Sequence, residues 1–226
     1  MKILIFGATG MIGQGVLREC LLDPDVERVV TIGRRAVGAA HPKLREIVHG
    51  DLFHYDSIQG ELAGFDACFF CLGVASAGMA EADYERVTYG IALAAAEVLV
   101  RLNARMTFVY VSGAGTDASE RGRLMWARVK GKTENALLRL PFQGAYMFRP
   151  GVIQPLDGIK SRTALYRCFY AAARPLLPAL RWAFPNLILT TRQIGRAMLA
   201  VARRGAGKRV LESRDIRAAS EPLAGT

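Results

Sequence analysis

The sequence predicts an α/β protein with a doubly wound parallel sheet, and three observations carry that prediction. Short runs rich in β-branched and other apolar residues alternate with amphipathic stretches of helical period over the first 150 residues. The run Met106 to Ser112 is almost continuously apolar, as expected of a central parallel strand covered on both faces. The opening stretch, MKILIFGATGMIGQG, sets glycines 7, 10 and 13 between an apolar strand and an amphipathic helix.

Taken in order, Ile3 to Phe6 reads as a buried strand, and Gly7 permits its sharp exit. Gly10 has no Cβ to hold a pyrophosphate off the backbone, and Gly13 lets the helix lie close to the sheet. The first turn of that helix offers free N–H groups and a positive dipole end. Gly7, Thr9, Gly10, Met11, Ile12 and Gly13 are therefore the expected phosphate-side contacts of a Rossmann-type dinucleotide site.

The first helix should run from Met11 to Leu22, where Asp23-Pro24 stops it. Strand two is Arg28 to Ile32, ending at Gly33-Arg34-Arg35, and strand three is Arg45 to His49, closed by Gly50-Asp51. A short helix from Ser57 to Leu62 leads to strand four, Ala67 to Cys71, which leaves the sheet through Leu72-Gly73. One long alanine-rich helix is expected from Glu81 to Leu102. After strand five come a helix from Leu124 to Arg139 and strand six, Ala145 to Phe148. Beyond Pro150 the prolines at 155, 175, 178 and 185 break the chain into short pieces, until a helix from Thr191 to Arg204 and a strand from Arg209 to Glu212. We read one domain over residues 1–226, with 151–190 as a substrate-side lid and a frayed tail after Arg217.

The chain carries a formal charge of +10, from 24 arginines and six lysines against 20 acids. The basic residues are dispersed and no recognition module accompanies them, so nucleic acid is not an expected partner. An anionic cofactor or a membrane surface accounts for the charge as well. Arginines 167, 174 and 181 recur every seven residues among bulky apolar side chains, a pattern open to a lid, a dimer seam or a membrane-surface helix. Cys68 and Cys71 fall on opposite faces of a strand, so no shared metal is expected, and the cysteines read as core residues of a reducing, cytoplasmic compartment. The apolar run at the start is too short for a signal peptide.

An NAD-preferring site carries an acid at the end of strand two to bind the ribose 2′-hydroxyl. Here Gly33-Arg34-Arg35 stands instead, and two guanidiniums can grip a 2′-phosphate, so NADP is expected over NAD. The alternative is a solvated arginine turn. Asp51 and Leu52 are expected near the adenine, with Asp51 as a plain turn residue the rival reading.

The glycine pattern, Asp51-Leu52, the segment YVSGAG, Lys130 and the segment RPGVIQP together resemble the short-chain dehydrogenase/reductase superfamily. Within it the chain resembles the atypical NAD(P)-binding, epimerase/dehydratase-like proteins, the group of the Tat-interacting oxidoreductase. The resemblance implies cofactor contacts from Leu72, Gly73, Lys130, Arg149, Pro150 and Val152, and a tendency to form homodimers. It also implies a serine that positions the substrate oxygen, matched by Ser112, and a Tyr-x-x-x-Lys in which lysine binds the ribose and the phenol exchanges a proton. Lys130 matches the lysine, but Trp126 occupies the tyrosine position. An indole cannot serve as the acid. Tyr89 and Tyr110 are the candidate substitutes, each with core packing as its alternative, and Lys130 has a possible partner in Glu134 one turn on. The expected function is reduction or epimerisation of a small carbonyl or sugar-like substrate. The alternative is a non-enzymatic NADPH-binding sensor or protein-interaction module.

Overall fold

The computed structural model describes residues 1–159 and 188–221. Seven strands form one all-parallel sheet: β1 (Lys2–Phe6), β2 (Arg28–Gly33), β3 (Leu44–Val48), β4 (Ala67–Phe70), β5 (Thr107–Val111), β6 (Gly144–Arg149) and β9 (Val210–Glu212). Their spatial order is β3-β2-β1-β4-β5-β6-β9. The chain therefore winds outward from β1 in one direction and from β4 in the other. The crevice outside the carboxyl ends of β1 and β4 is the switch point where such sheets bind ligands. Register places Phe6 beside both Ile32 and Phe70, so three strands reach that edge together.

Strand alternation sorts the core into two layers. Leu4, Phe6, Val30, Phe70, Phe108 and Tyr110 face α3 (Ile91–Leu102) and α4 (Met125–Arg139). On that face Phe6 stacks on Phe70 at 5.3 Å, and Phe70 on Phe108 at 6.0 Å. Ile3, Ile5, Val29, Phe69, Val109 and Phe148 face α1 (Met11–Leu22) and α5 (Thr191–Arg204). All twelve are fully or almost fully buried, which is what strands with helices on both faces require.

The ends of α1 and α5 fall where the sequence puts them. For α5 the reason is a capping box: Thr190 accepts from the Gln193 N–H at 3.1 Å, and Gln193 accepts from the Thr190 N–H at 2.9 Å. The long helix is different. It divides into α2 (Glu81–Glu85), one π turn (Arg86–Gly90) and α3. The π turn buries Thr88, whose Oγ1 has no partner among the described residues.

Two further corrections concern short elements. The expected short helix is a 3-10 helix over Asp56–Glu61. Past Arg217, where the tail was expected to fray, the chain stays helical to Ser220 in α6 (Ser213–Ser220), held by fully buried Ile216 and by an Asp215 carboxylate accepting from the Glu212 N–H at 2.9 Å, and residues 222–226 lie outside the described residues. A small parallel pair, β7 (Val152–Gln154) with β8 (Ile188–Thr190), was not expected. Most of the expected lid, with Arg167, Arg174 and Arg181, lies outside the described residues. No helix among the described residues is long and apolar enough to cross a membrane.

Candidate functional site

The glycine turn is built by backbone contacts that leave no room for side chains. Gly7 adopts φ +75°, a conformation that L residues rarely take. The Gly10 N–H donates back to the Gly7 carbonyl at 2.9 Å, closing the turn. A Cβ on Gly13 would stand 2.1 Å from the Gly7 oxygen, and one on Gly7 would stand 2.6 Å from the Leu72 nitrogen. The loop, the start of α1 and the exit of β4 are thus fitted backbone to backbone.

Gly10 is the exception. A Cβ there would meet only the Gly7 oxygen, at 3.3 Å, so its outer side is open. It is also the N-cap of α1 and supplies no side-chain acceptor to the first turn, which contains no acid. Free N–H groups and the positive end of the helix dipole therefore face the opening. This is a cradle for a phosphate diester.

That opening is a cavity of about 480 Å³. Gly7, Thr9, Gly10 and Met11 line it from β1 and α1, Gly33, Arg34 and Arg35 from β2, Leu52 from the loop after β3, and Cys71, Leu72, Gly73 and Val74 from beyond β4. Nine expected contact residues are brought together here. Ile12 and Gly13 lie behind the cradle, outside the lining. Arg34 and Arg35 are exposed, and among the described residues neither is ion-paired to a carboxylate. Asp51 is not in the lining. Its carboxylate accepts from the Phe53 N–H at 2.9 Å and pairs with His54 Nδ1 at 2.8 Å, contacts that shape the turn after β3. Cys71 and Val74 escaped the sequence reading. The signal for them was their place beside Leu72-Gly73.

The second group of expected residues sits around the end of β5. Ser112 is 8% exposed, and its Oγ lies 2.9 Å from Thr116 Oγ1. The Thr116 hydroxyl donates to the Gly113 carbonyl at 2.7 Å, which makes Ser112 the donor to Thr116. Thr116 is a site neighbour that the sequence did not single out. The loop is further tied down by Asp117, which accepts from the N–H groups of Ser119, Arg121 and Gly122 and from the Ser119 hydroxyl. These bonds hold its carboxyl down at about 2.

Trp126 lays its indole over this loop. The ring comes to 3.5 Å from where a Cβ on Gly115 would stand, and to 3.9 Å for Gly113. One turn along α4, Lys130 Nζ lies 3.4 Å from the Val111 carbonyl and 5.3 Å above the Tyr110 ring. Desolvation lowers the amine to about 8, against the opposing pull of Glu134.

Neither alternative tyrosine is placed as a free acid. Tyr110 is 1% exposed within the core and shares a hydrogen bond with Thr133, and burial pushes its hydroxyl far up. Tyr89 lies under Lys132 Nζ at 4.9 Å, beside Phe53 and Arg86 in a separate shallow cavity.

Glu134 acts on Lys130 through its charge but makes its ion pair with Arg149. Arg149 donates to it from Nε at 3.0 Å and from Nη2 at 2.5 Å, and reaches Glu212 from Nη1 at 3.3 Å. The guanidinium expected at the cofactor is thus engaged in clamping α4, β6 and β9 together. The Pro150 carbonyl accepts from the Ala114 N–H at 2.9 Å, and half-buried Val152 begins β7. Both follow β6 without lining the cavity.

A profile of the NAD dependent epimerase/dehydratase family matches residues 3–121, more than half of the chain. The chain belongs to that family. Among curated proteins, "Protein FMP52-2, mitochondrial" of Scheffersomyces stipitis is 31% identical over 152 residues, covering 66% of this chain and 65% of the relative. "Protein fmp52-1, mitochondrial" of Aspergillus oryzae is 32% identical over 188 residues, covering 79% and 78%. Among solved structures, the Bordetella bronchiseptica enzyme WbmF in complex with NAD+ has a TM-score of 0.66 at 14% identity, covering 96% of this chain and 76% of that one. That likeness shows the fold. The names of the relatives overturn the expected cytoplasmic location. Buried cysteines were the basis for it, and burial reports on packing, not on the compartment. An epimerase/dehydratase-family, NAD(P)-binding fold is thus the common ground of sequence, structure and comparisons.

Proposed function

We propose that this epimerase/dehydratase-family chain binds NADP in preference to NAD and uses it to reduce or epimerise a small carbonyl or sugar-like substrate. One observation carries the reading: the open side of the Gly10 cradle and two exposed arginines without carboxylate partners among the described residues line the same cavity. The glycine loop and the N-terminus of α1 would hold the pyrophosphate. Arg34 and Arg35 would hold the 2′-phosphate, with Gly33 leaving it space, and Leu52 would pack on the adenine. When bound, the nicotinamide supplies a hydride. The chain positions the substrate beside the end of β5.

The test is a paired titration of cofactor-free protein with NADPH and NADH, followed by tryptophan fluorescence. Loss of one charge-assisted phosphate contact costs about 1.5–3 kcal/mol, so Arg34→Ala with Arg35→Ala should weaken NADPH binding at least about tenfold and leave NADH unchanged. Equal affinity for both nucleotides in the unaltered chain would refute the preference, and binding of neither would refute the reading.

The sensor alternative draws on Trp126 and on the Ser112 hydroxyl already committed to Thr116. It predicts nucleotide binding without turnover.

A further inference from the structure

We propose that Lys130 is the proton donor of this site, acting from Nζ at the end of β5 where Trp126 leaves no phenol to do so. The inference rests on the NADP reading above. Four features of the geometry support it. The Trp126 ring covers the Gly113–Gly115 loop, and its N–H is not an acid. Lys130 Nζ reaches the carbonyl of Val111, the residue before Ser112, and so stands at the carboxyl end of β5, on the same edge of the parallel sheet as the cradle. Glu134, one turn along, is held by Arg149, and among the described residues no carboxylate is ion-paired with Nζ. Tyr110 beneath the amine is closed into the core, and the Ser112 proton is given to Thr116.

On α4, Arg128, Lys132 and Glu134 are each ion-paired. Glu81 and Glu85 reach across from α2 to Arg128 and Lys132, and Arg149 comes from β6 to Glu134. Tyr84, from α2, is buried near Tyr110. An amine so placed is protonated at neutral pH and releases its proton more readily than an ordinary lysine. As the carbonyl carbon is reduced, one Nζ–H bond breaks and an O–H bond forms on the carbonyl oxygen. The electron pair stays on nitrogen, and the neutral amine recovers a proton from water.

The experiment combines three measurements on the full chain. Lysine labelled with 13C at Cε is titrated by NMR, NADPH affinity is read by fluorescence, and NADPH-dependent reduction of a panel of aldehydes and an ortho-quinone is followed against pH. One of the six lysine signals should titrate near 8 and vanish in Lys130→Arg. That variant keeps the charge but cannot release a proton, so NADPH affinity should hold while kcat falls on the order of 10²-fold or more. In the unaltered chain kcat should decline as pH rises through the same midpoint.

Titration of all six lysines in the ordinary range would overturn the inference. So would unchanged kcat in Lys130→Arg, or NADPH binding with no turnover of the panel until Trp126→Tyr restores a phenol. Binding without turnover in both proteins overturns it too. Failure to bind NADPH at all would instead overturn the reading on which it rests.

Discussion

Alanine at Gly10 and alanine at Gly13 should have opposite consequences, although the two positions lie three residues apart. At Gly10 the backbone is extended (φ −79°, ψ 166°), so alanine fits without strain, and its methyl group meets only the Gly7 oxygen at 3.3 Å. Loss of a glycine N-cap and a shift of a few tenths of an ångström cost about 1 kcal/mol, and reduced freedom in the unfolded chain returns about half of it. The net effect on Tm should be under about 4 °C for a chain of this length. Ligand affinity should behave otherwise, because the methyl projects from the one open face of the turn, where a pyrophosphate must approach. At Gly13 the methyl would begin 2.1 Å from the Gly7 oxygen and 2.8 Å from Ala8 Cα, both backbone atoms. Gly7 cannot yield, since it is pressed against the backbone of Cys71 and Leu72. A displacement of about an ångström in a packed junction costs on the order of 3 kcal/mol, or about 6–12 °C in Tm.

The assay is thermal unfolding of both variants with and without NADPH, together with fluorescence titration. Gly10→Ala should melt like the unaltered protein and lose the NADPH-dependent rise in Tm. Gly13→Ala should melt early under both conditions. Wild-type NADPH affinity in Gly10→Ala would refute the placement of the pyrophosphate, and an unchanged Tm in Gly13→Ala would refute the packing argument.

Two further outcomes follow from the loop and the clamp. Glu134→Ala leaves Arg149, 13% exposed, with half-exposed Glu212 as its one remaining carboxylate among the described residues, so the loss should fall at the lower end of the range for breaking a buried pair, about 3 kcal/mol, read from urea unfolding. Asp117 is held below its ordinary value of 3.8, so its contribution is full above that pH and is lost as pH falls toward 2. Asp117→Asn should therefore lower stability at neutral pH and flatten the acid limb of the stability profile; an acid limb identical to that of the unaltered chain would refute this.

The strands and helices that place the cavity were legible because each carries its own punctuation. Glycines open α1 and Asp23-Pro24 closes it, and Thr190 with Gln193 starts α5. The π turn was not legible, since one extra residue in a helical turn leaves the apolar pattern of Glu81 to Leu102 nearly intact. The β7–β8 pair joins three-residue strands separated by more than 30 positions, and such strands have no periodicity to read. In the candidate site, the cradle residues could be named because glycine spacing is a local signal. The true partner of Glu134 could not, because Arg149 sits 15 residues away and meets it only once β6 and α4 are packed.

The contact between α1 and α5 has a kinetic side. Gly15 lies so near Thr191 that a Cβ there would stand 2.5 Å from that side chain, and Arg196 donates to Glu19 across 177 positions of sequence. The cradle's helix is thus clamped by a segment that a ribosome delivers almost two hundred residues later. Closing so long a loop is slow, and until it closes the nucleotide loop rests on β1 and the exit of β4 without the clamp on α1. Any ligand that prefers the clamped form would then act on the late stage of maturation, drawing the assembled state forward by mass action.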